Sequence, residues 1–301
     1  STFKIFAVIA ALEDGYSLST KLDGRSPMTV GKGENQDVIR NQGDSGGRSY
    51  GTVNLKKATE KSVNTAFVDL TMMLTPDGAQ GSAGPQRVLE AAAEAGIPRS
   101  TLDKINPVIG VSLGYAPVAP IDMANAYATL AAEGNRANWF VVQQVEDSRG
   151  KSLYRHNVAT TQTIDPDVAA DTLDAMQGVV RSGTGTKAKT FCPTAGKTGT
   201  ATAGSKQNSR VSSSWFVGTT PTLSTAVMFN RGVGNEELDG YLRPFYGGTY
   251  PAQIFRSYTN KVVERENCGT FPKAANIKAT KGKTFRDKSD SDKPKKKPEP
   301  T

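Results

Sequence analysis

Histidine and cysteine are scarce in this chain, whose 301 residues include one histidine, His156, and two cysteines. His156 lies at the end of a polar stretch, so we do not expect a Ser-His-Asp triad, in which a histidine acts as the general base. No cluster of histidines and cysteines has the composition of a metal site. We therefore predict an activity that needs neither a metal nor another cofactor.

Long apolar runs are missing as well. No stretch of about eighteen consecutive apolar residues occurs, and a helix that crosses a membrane needs such a stretch. The sequence also shows no signal peptide and does not begin with methionine. We therefore predict no membrane span within these residues.

Positive charge is concentrated at one end of the chain. The formal net charge is +8, of which residues 273–301 carry +6. This segment is rich in lysine, proline, aspartate and serine and poor in apolar residues, so we predict a basic disordered tail. Weak attraction to anionic wall polymers or lipid headgroups is a second interpretation of the tail. Residues 1–272 are nearly neutral, which argues against a nucleic-acid partner.

The predicted helices come first along the chain and consecutive strands come last, an order typical of an α+β fold. Apolar periodicity and capping signals predict helices over 1–14, 55–74, 86–95, 121–132, 167–180 and 250–263. Residues 16–54 are polar, so we predict a long surface segment with short strands in this region. The other predicted strands are 139–145, 152–155, 197–202, 212–218 and 223–230, the last two as an antiparallel hairpin.

The segment Lys197-Thr198-Gly199-Thr200 has the features of a peptide-binding strand. β-Branched threonines favour an extended backbone, and glycine lets another backbone approach closely. A peptide that ends in a carboxylate could lie along this edge with its carboxylate near Lys197. Taken alone, the segment also fits a Gly-rich turn with a solvated lysine.

Two further patterns precede this segment, Ser1-Thr2-Phe3-Lys4 and Ser62-Val63-Asn64. Residues three apart share a face of a helix, so Ser1 and Lys4 are predicted to project together. A serine hydroxyl needs a nearby base to become a good nucleophile, and a desolvated lysine can be that base. Ser-x-x-Lys, Ser-x-Asn and Lys-Thr-Gly, in this order, form the motif set of penicillin-binding proteins and class A β-lactamases.

With these motifs, the chain resembles the transpeptidase domain of a class A, bifunctional penicillin-binding protein, over roughly residues 1–265. The resemblance implies a β-lactamase/transpeptidase-like fold, with an antiparallel central sheet flanked by helices. In that fold, strands also precede the Ser-x-x-Lys helix, so residues 1–272 are expected to form an N-terminally truncated domain. A membrane anchor and a glycosyltransferase domain are expected upstream, which implies an extracytoplasmic location in an anchored full-length protein.

The resemblance also implies a role for each catalytic residue. Ser1 is the expected nucleophile and Lys4 its base. Ser62 is expected to share a hydrogen-bond relay with Lys4 to the leaving amine. Asn64 is expected to bond both Lys4 and a substrate amide.

The Lys-Thr-Gly segment is expected to bind substrate. The substrate carboxylate would be held by Lys197, Thr198 and Thr200. Gly199 would allow the backbone of the substrate to approach the strand. The backbone N–H groups of Ser1 and Thr200 are placed by the resemblance as the oxyanion hole.

The activity implied is that of a peptidoglycan D,D-transpeptidase, which cross-links D-Ala-D-Ala stem peptides through a serine acyl-enzyme and is inhibited covalently by β-lactams. The resemblance also allows wall, divisome or elongasome proteins as partners. A D,D-carboxypeptidase and a β-lactamase are alternatives with the same fold. An N-terminal nucleophile hydrolase and a catalytically inactive penicillin-binding fragment are the alternatives of a different class.

Two features stay open at this point. Cys192 precedes the Lys197 strand and Cys268 follows the last helix, which packs near that sheet in the resembling fold, so they fit either a disulfide or two separate thiols. Thr184 and Thr186 lie in a Gly-rich loop. We interpret them as structural, with substrate binding as the alternative.

Overall fold

The computed structural model describes residues 1–31, 36–43, 47–76, 81–203, 210–232, 236–238 and 245–281. These residues form a mixture of helices and short antiparallel sheets, which confirms the predicted α+β class. Residues 282–301, which make up most of the predicted tail, lie outside the described residues. None of the described helices has both the length and the apolar character of a membrane span.

The helices follow the predicted order along the chain. They are α1 (Lys4–Glu13), α2 (Leu55–Lys61), α3 (Asn64–Met73), α4 (Ala83–Ala95), α5 (Arg99–Leu102), α6 (Pro120–Ala131), α7 (Pro166–Arg181) and α8 (Tyr250–Val262). Short 3-10 turns lie at 111–113, 186–188 and 265–267. The four-residue helix α5 was not predicted, because one helical turn carries no apolar periodicity.

The longest strands, β9 to β11, form one sheet, and the other strands pair in twos. The strands are β1 (Lys21–Asp23), β2 (Met28–Val30), β3 (Asp37–Ile39), β4 (Thr52–Asn54), β5 (Asn135–Ala137), β6 (Gln144–Glu146), β7 (Ser152–Arg155), β8 (Thr160–Gln162), β9 (Ala195–Ala203), β10 (Arg210–Thr219) and β11 (Ser224–Asn230). The predicted strand over 139–145 is wrong for most of its length, since only its last two residues belong to β6. The pair β5 and β8 was missed, because strands of three residues carry little sequence signal.

The main sheet has the order β11-β10-β9, and both of its strand pairs are antiparallel. Neighbouring side chains of β10 point to opposite faces. Phe216 packs against Phe255 of α8, with 4.9 Å between the ring centroids. Val217 packs on the other face, in the main core with Ala195 and residues of α1 and α7. Helices therefore flank the sheet on both faces, as the resemblance implied.

Helix α1 lies at the centre of the main core. All residues from Lys4 to Leu12 are buried, because the helix is apolar around most of its circumference. It contacts α3, α4 and α7 and ends before Gly15, as predicted. Lys4 is the one charged residue in the buried part of α1. Because a charged side chain is seldom fully buried without a partner, we regard Lys4 as a candidate functional residue.

The predicted helix over 55–74 is interrupted at Ser62, so this prediction is corrected. Ser62 has the left-handed angles φ 57° and ψ 42°, and it ends α2. The N–H of Val63 donates to the carbonyl of Ala58 over 2.9 Å, which closes the turn, and α3 begins at Asn64. A left-handed serine costs free energy compared with an ordinary helical one, so the surrounding contacts must hold it there.

A C-terminal segment lies against the body of the protein. Cys192 and Cys268 form a disulfide, with 5.2 Å between their Cα atoms. The chain then passes α7, where the backbone N–H groups of Asn276 and Ile277 donate to the carboxylate of Asp171 over 2.9 and 2.8 Å. The domain boundary at residue 272 stays a prediction, although these contacts show that the residues directly after it touch the body.

Candidate active site

Lys4 lies at the start of α1 with its side chain fully buried. Its Nζ donates to the Oδ1 of Asn64 over 2.6 Å, to the Oγ of Ser62 over 3.1 Å and to the carbonyl of Ser62 over 2.9 Å. Burial and the nearby charge of Lys197 hold the pKa of Lys4 well below its usual range. A lysine with a lowered pKa loses its proton more easily than an exposed lysine does and can then act as a base.

Lys197 is the second buried lysine and extends from β9 toward the same turn. Its Nζ donates to the Oγ of Ser62 over 2.7 Å and to the carbonyl of Thr198 over 3.0 Å. Burial lowers its pKa to about 7. No described carboxylate forms a salt bridge with Lys4 or Lys197 in the structure. A bound anion would stabilise the protonated form of these buried lysines, beside which no described carboxylate forms a salt bridge.

Ser62 joins the two lysines. Its hydroxyl oxygen accepts hydrogen bonds from the Nζ atoms of both Lys4 and Lys197. The left-handed turn between α2 and α3 puts this hydroxyl between the two cations. The side chain of Asn64, in the first turn of α3, is fixed by a second bond, because its Nδ2 donates to the carbonyl of Arg40 over 2.9 Å.

Ser1 lies just before α1 and is half-buried. The carbonyl of Ser1 accepts a hydrogen bond from the N–H of Lys4 over 3.2 Å, so a turn joins the two residues at the start of α1. The N-cap position of α1 is occupied by Phe3, which excludes an N-cap role for Ser1. The Ser1 hydroxyl has no hydrogen-bond partner among the described residues, so it is available to a ligand.

Gly199 allows β9 to lie close to the segment that carries Ser1 and Thr2. A Cβ at this position would lie 3.0 Å from the Cβ of Trp215 and 3.1 Å from the Cγ2 of Thr2, the residue next to Ser1. Both distances are shorter than an ordinary van der Waals contact. A side chain here would push β9 away from Ser1, so we interpret Gly199 as setting the width of the site.

Thr198 and Thr200 point to the opposite face of β9 from Lys197 and Gly199, since side chains alternate along a strand. The Oγ1 atoms of Thr198 and Thr184 lie 2.7 Å apart. The Oγ1 of Thr200 accepts from the N–H of Gly247 over 3.0 Å. Both hydroxyls are thus held by loops outside the three motifs.

Most of the predicted site residues come together. The side chains of Lys4, Ser62, Asn64 and Lys197 form one hydrogen-bonded group, while Thr198 and Thr200 lie on the same strand as Lys197. The contact between Thr184 and Thr198 was not predicted, because the Gly-rich loop carried no sign of this partner. No group of three or more histidine, cysteine, aspartate or glutamate side chains in the described part of the chain is arranged to hold a metal ion.

Comparisons with known proteins show the family of this chain. The family model "Penicillin binding protein transpeptidase domain" matches residues 1–260. The chain is 33% identical over 290 residues to penicillin-binding protein 1A of Mycolicibacterium smegmatis and 33% identical over 291 residues to that of Mycobacterium tuberculosis. Each alignment covers 92% of this chain but only 35% and 33% of the relative, respectively, so the chain spans about a third of their length.

Solved structures show the same fold. The PonA1 protein of Mycobacterium tuberculosis in complex with penicillin V has a TM-score of 0.78 and 31% identity, covering 94% of this chain and 73% of that chain. Penicillin-binding protein 1A from Haemophilus influenzae, at 19% identity and a TM-score of 0.72, supports the fold alone. It covers 94% of this chain and 48% of that chain.

Proposed function

The chain belongs to the family of penicillin-binding protein transpeptidase domains, and on that premise we propose that it is a serine D,D-transpeptidase acting on stem peptides that end in D-Ala-D-Ala. The observation that carries the proposal is the bridge in which one hydroxyl, that of Ser62, accepts hydrogen bonds from two buried lysines. Two desolvated lysines are costly to bury around a purely structural serine, whereas proton transfer by one lysine and anion binding by the other would use both.

In the proposed first step, the hydroxyl oxygen of Ser1 attacks the carbonyl carbon of the penultimate D-Ala. Neutral Lys4 takes the proton of Ser1 as the new C–O bond forms. The lowered pKa of Lys4 makes its neutral form easier to reach than that of an exposed lysine. The negative charge that develops on the carbonyl oxygen would be stabilised by the backbone N–H groups of Ser1 and Thr200.

The C–N bond to the terminal D-Ala then breaks, and its nitrogen needs a proton to leave as an amine. We propose that this proton passes from Lys4 through the hydroxyl of Ser62, which lies 3.1 Å from the Nζ of Lys4. The product is an ester between Ser1 and the stem peptide. An amine of a neighbouring stem peptide would attack this ester, forming the cross-link and returning the proton to Ser1.

Substrate recognition is assigned to β9 and Lys197. The terminal carboxylate of D-Ala-D-Ala would supply the negative charge that the two buried lysines lack. The carboxylate would lie at the edge of β9, where the hydroxyls of Thr198 and Thr200 would donate to its oxygens from one face and the charge of Lys197 would attract it from the other. Asn64 would bond a substrate amide, and Gly199 would leave room for the peptide backbone.

β-Lactams would bind at the same site as the substrate. They carry a carboxylate and a reactive amide carbonyl, so they would acylate Ser1 and block it. We also propose that the full-length protein is membrane-anchored, with this domain outside the cytoplasm, where peptidoglycan and wall-synthesis partners are found. D,D-carboxypeptidase activity would follow if water, rather than an amine, resolved the ester.

The test is a reaction with two substrates. The purified protein is incubated with a peptide ending in D-Ala-D-Ala, with and without a stem peptide that carries a free amine. The proposal expects release of D-Ala and a cross-linked product that depends on the amine. Release without any cross-linked product would indicate a carboxypeptidase, and no release at all would refute the proposed activity.

A further inference from the structure

The loop Ser182–Gly185 connects α7 to the 3-10 turn before β9, and one of its side chains reaches the Lys-Thr-Gly strand. The Oγ1 of Thr184 lies 2.7 Å from the Oγ1 of Thr198, and either hydroxyl can be the donor. Thr184 is half-buried, whereas Thr186, two residues further along, is exposed. The two threonines of this loop therefore have different surroundings.

The loop is also hydrogen-bonded to Glu60 and Lys61, the two residues directly before Ser62. The N–H of Thr184 donates to the carbonyl of Glu60 over 3.2 Å. The hydroxyl of Ser182 donates to the Oε1 of Glu60 over 2.9 Å, and the Nζ of Lys61 donates to the carbonyl of Ser182 over 2.7 Å. Three hydrogen bonds thus hold the loop against the end of α2.

Close packing restricts the loop as well. A Cβ at Gly183 would lie 2.4 Å from the carbonyl oxygen of Glu60. No side chain fits at that distance, so the loop backbone lies directly on α2. Thr184 cannot move without breaking its contacts either to Glu60 or to Thr198.

We propose that Thr184 is a positioning residue for carboxylate recognition, an inference that rests on the proposed transpeptidase function. A hydroxyl has one proton to donate. When Thr184 donates to the Oγ1 of Thr198, the proton of Thr198 is free to point at a bound carboxylate. Without Thr184, the Thr198 hydroxyl loses this partner and must be oriented by the ligand alone. A bound carboxylate would also polarise the hydroxyls of Thr198 and Thr184. This polarisation strengthens both the bond to the carboxylate and the bond between the two hydroxyls.

The same residue links the two halves of the site. Through its backbone Thr184 is bound to α2, which leads into Ser62, and through its side chain it is bound to β9, which carries Lys197. Thr184 therefore contacts both the segment before Ser62 and the strand that carries Lys197. Its hydroxyl affects binding of the carboxylate, while proton transfer at Lys4 and Ser62 does not involve it.

The test compares Thr184→Val, Thr184→Ser and Thr186→Val by the concentration dependence of acylation, which separates the apparent dissociation constant from the maximal rate. The ligands are a penicillin and its methyl ester, which lacks the free carboxylate. Thr184→Val is expected to weaken penicillin binding by about three- to tenfold, the range for one neutral hydrogen bond, with a nearly unchanged maximal rate. Thr184→Ser should restore binding, and Thr186→Val should match wild type.

The methyl ester provides the decisive contrast, because Thr184→Val should bind it as wild type does. Equal losses for both ligands, a lower maximal rate, or no recovery with serine would overturn this role for Thr184 while leaving the proposed function standing if wild type is acylated. No acylation of wild type would overturn both. Thermal melting verifies folding, and if the valine variant does not fold, Thr184→Ala against Thr184→Ser gives the same comparison.

Discussion

The Nζ of Lys197 lies 2.7 Å from the Oγ of Ser62, although 135 residues separate them in the chain. This hydrogen bond joins a strand of the central sheet to the turn between α2 and α3. Lys4 donates to the same oxygen from α1. Three motifs that are distant in sequence thus meet at one hydroxyl, and the proposed division between proton transfer and anion binding follows from their positions around it.

Lys4→Ala and Lys197→Ala are predicted to fail differently. Lys4 is the proposed base, so its loss should suppress acylation even at saturating penicillin. Lys197 is proposed to bind the carboxylate, so its loss should weaken apparent binding more than the maximal rate. A lost charged hydrogen bond costs on the order of 1.5–3 kcal/mol. Stopped-flow acylation kinetics would measure both parameters, and identical profiles for the two variants would contradict the division of roles.

The pH dependence of acylation should have two limbs. As pH rises, Lys4 loses its proton at its lowered pKa, and the base form appears, so the maximal rate should rise. Lys197 loses its charge as pH rises through about 7, so affinity for a carboxylate should fall above that pH. The penicillin methyl ester is the control, since it should lack the falling limb. A falling limb of equal size for the ester would contradict carboxylate binding by Lys197.

Ser62→Gly and Ser62→Ala should separate backbone strain from chemistry. Both variants lose the hydroxyl and should lose most of the acylation activity. Glycine adopts the left-handed angles of residue 62 freely, whereas alanine pays about 1–2 kcal/mol. The glycine variant should therefore melt at a higher temperature than the alanine variant. An alanine variant of equal or greater stability would show that this turn is not strained.

Two truncations should show which part of the C-terminal segment stabilises the folded protein. Removal of residues 282–301 should leave the melting temperature nearly unchanged. Removal of residues 271–301 should lower it, because the buried carboxylate of Asp171 loses its bonds from Asn276 and Ile277. Differential scanning calorimetry of the two truncations would measure the difference. Equal melting temperatures would show that these two bonds do not stabilise the body.

Much of the fold could be predicted because local signals and the motif order agree. Apolar periodicity predicted α1 and α7, and turn residues predicted the pairing of β10 with β11. The three motifs identified Lys4, Ser62, Asn64 and Lys197, whose side chains the structure brings together. These features could be predicted because each depends on residues that are close in sequence or on a known set of motifs.

The features that were missed depend on distant contacts. Nothing near Ser62 predicts left-handed angles, because the two lysines that bind its hydroxyl come from α1 and β9. Thr184 is part of a Gly-rich loop whose position is set by Glu60, more than a hundred residues earlier in the sequence. The composition of residues 273–281 gives no sign that their backbone N–H groups meet Asp171.

The most direct test of the central claim is to map the covalent penicillin adduct by mass spectrometry of the digested protein. We predict a single adduct on Ser1, its absence in Ser1→Ala, and a strongly reduced yield in Lys4→Ala. An adduct on any other residue, or unchanged labelling of Ser1→Ala, would contradict the assignment of Ser1 as the nucleophile that Lys4, Ser62 and Lys197 serve.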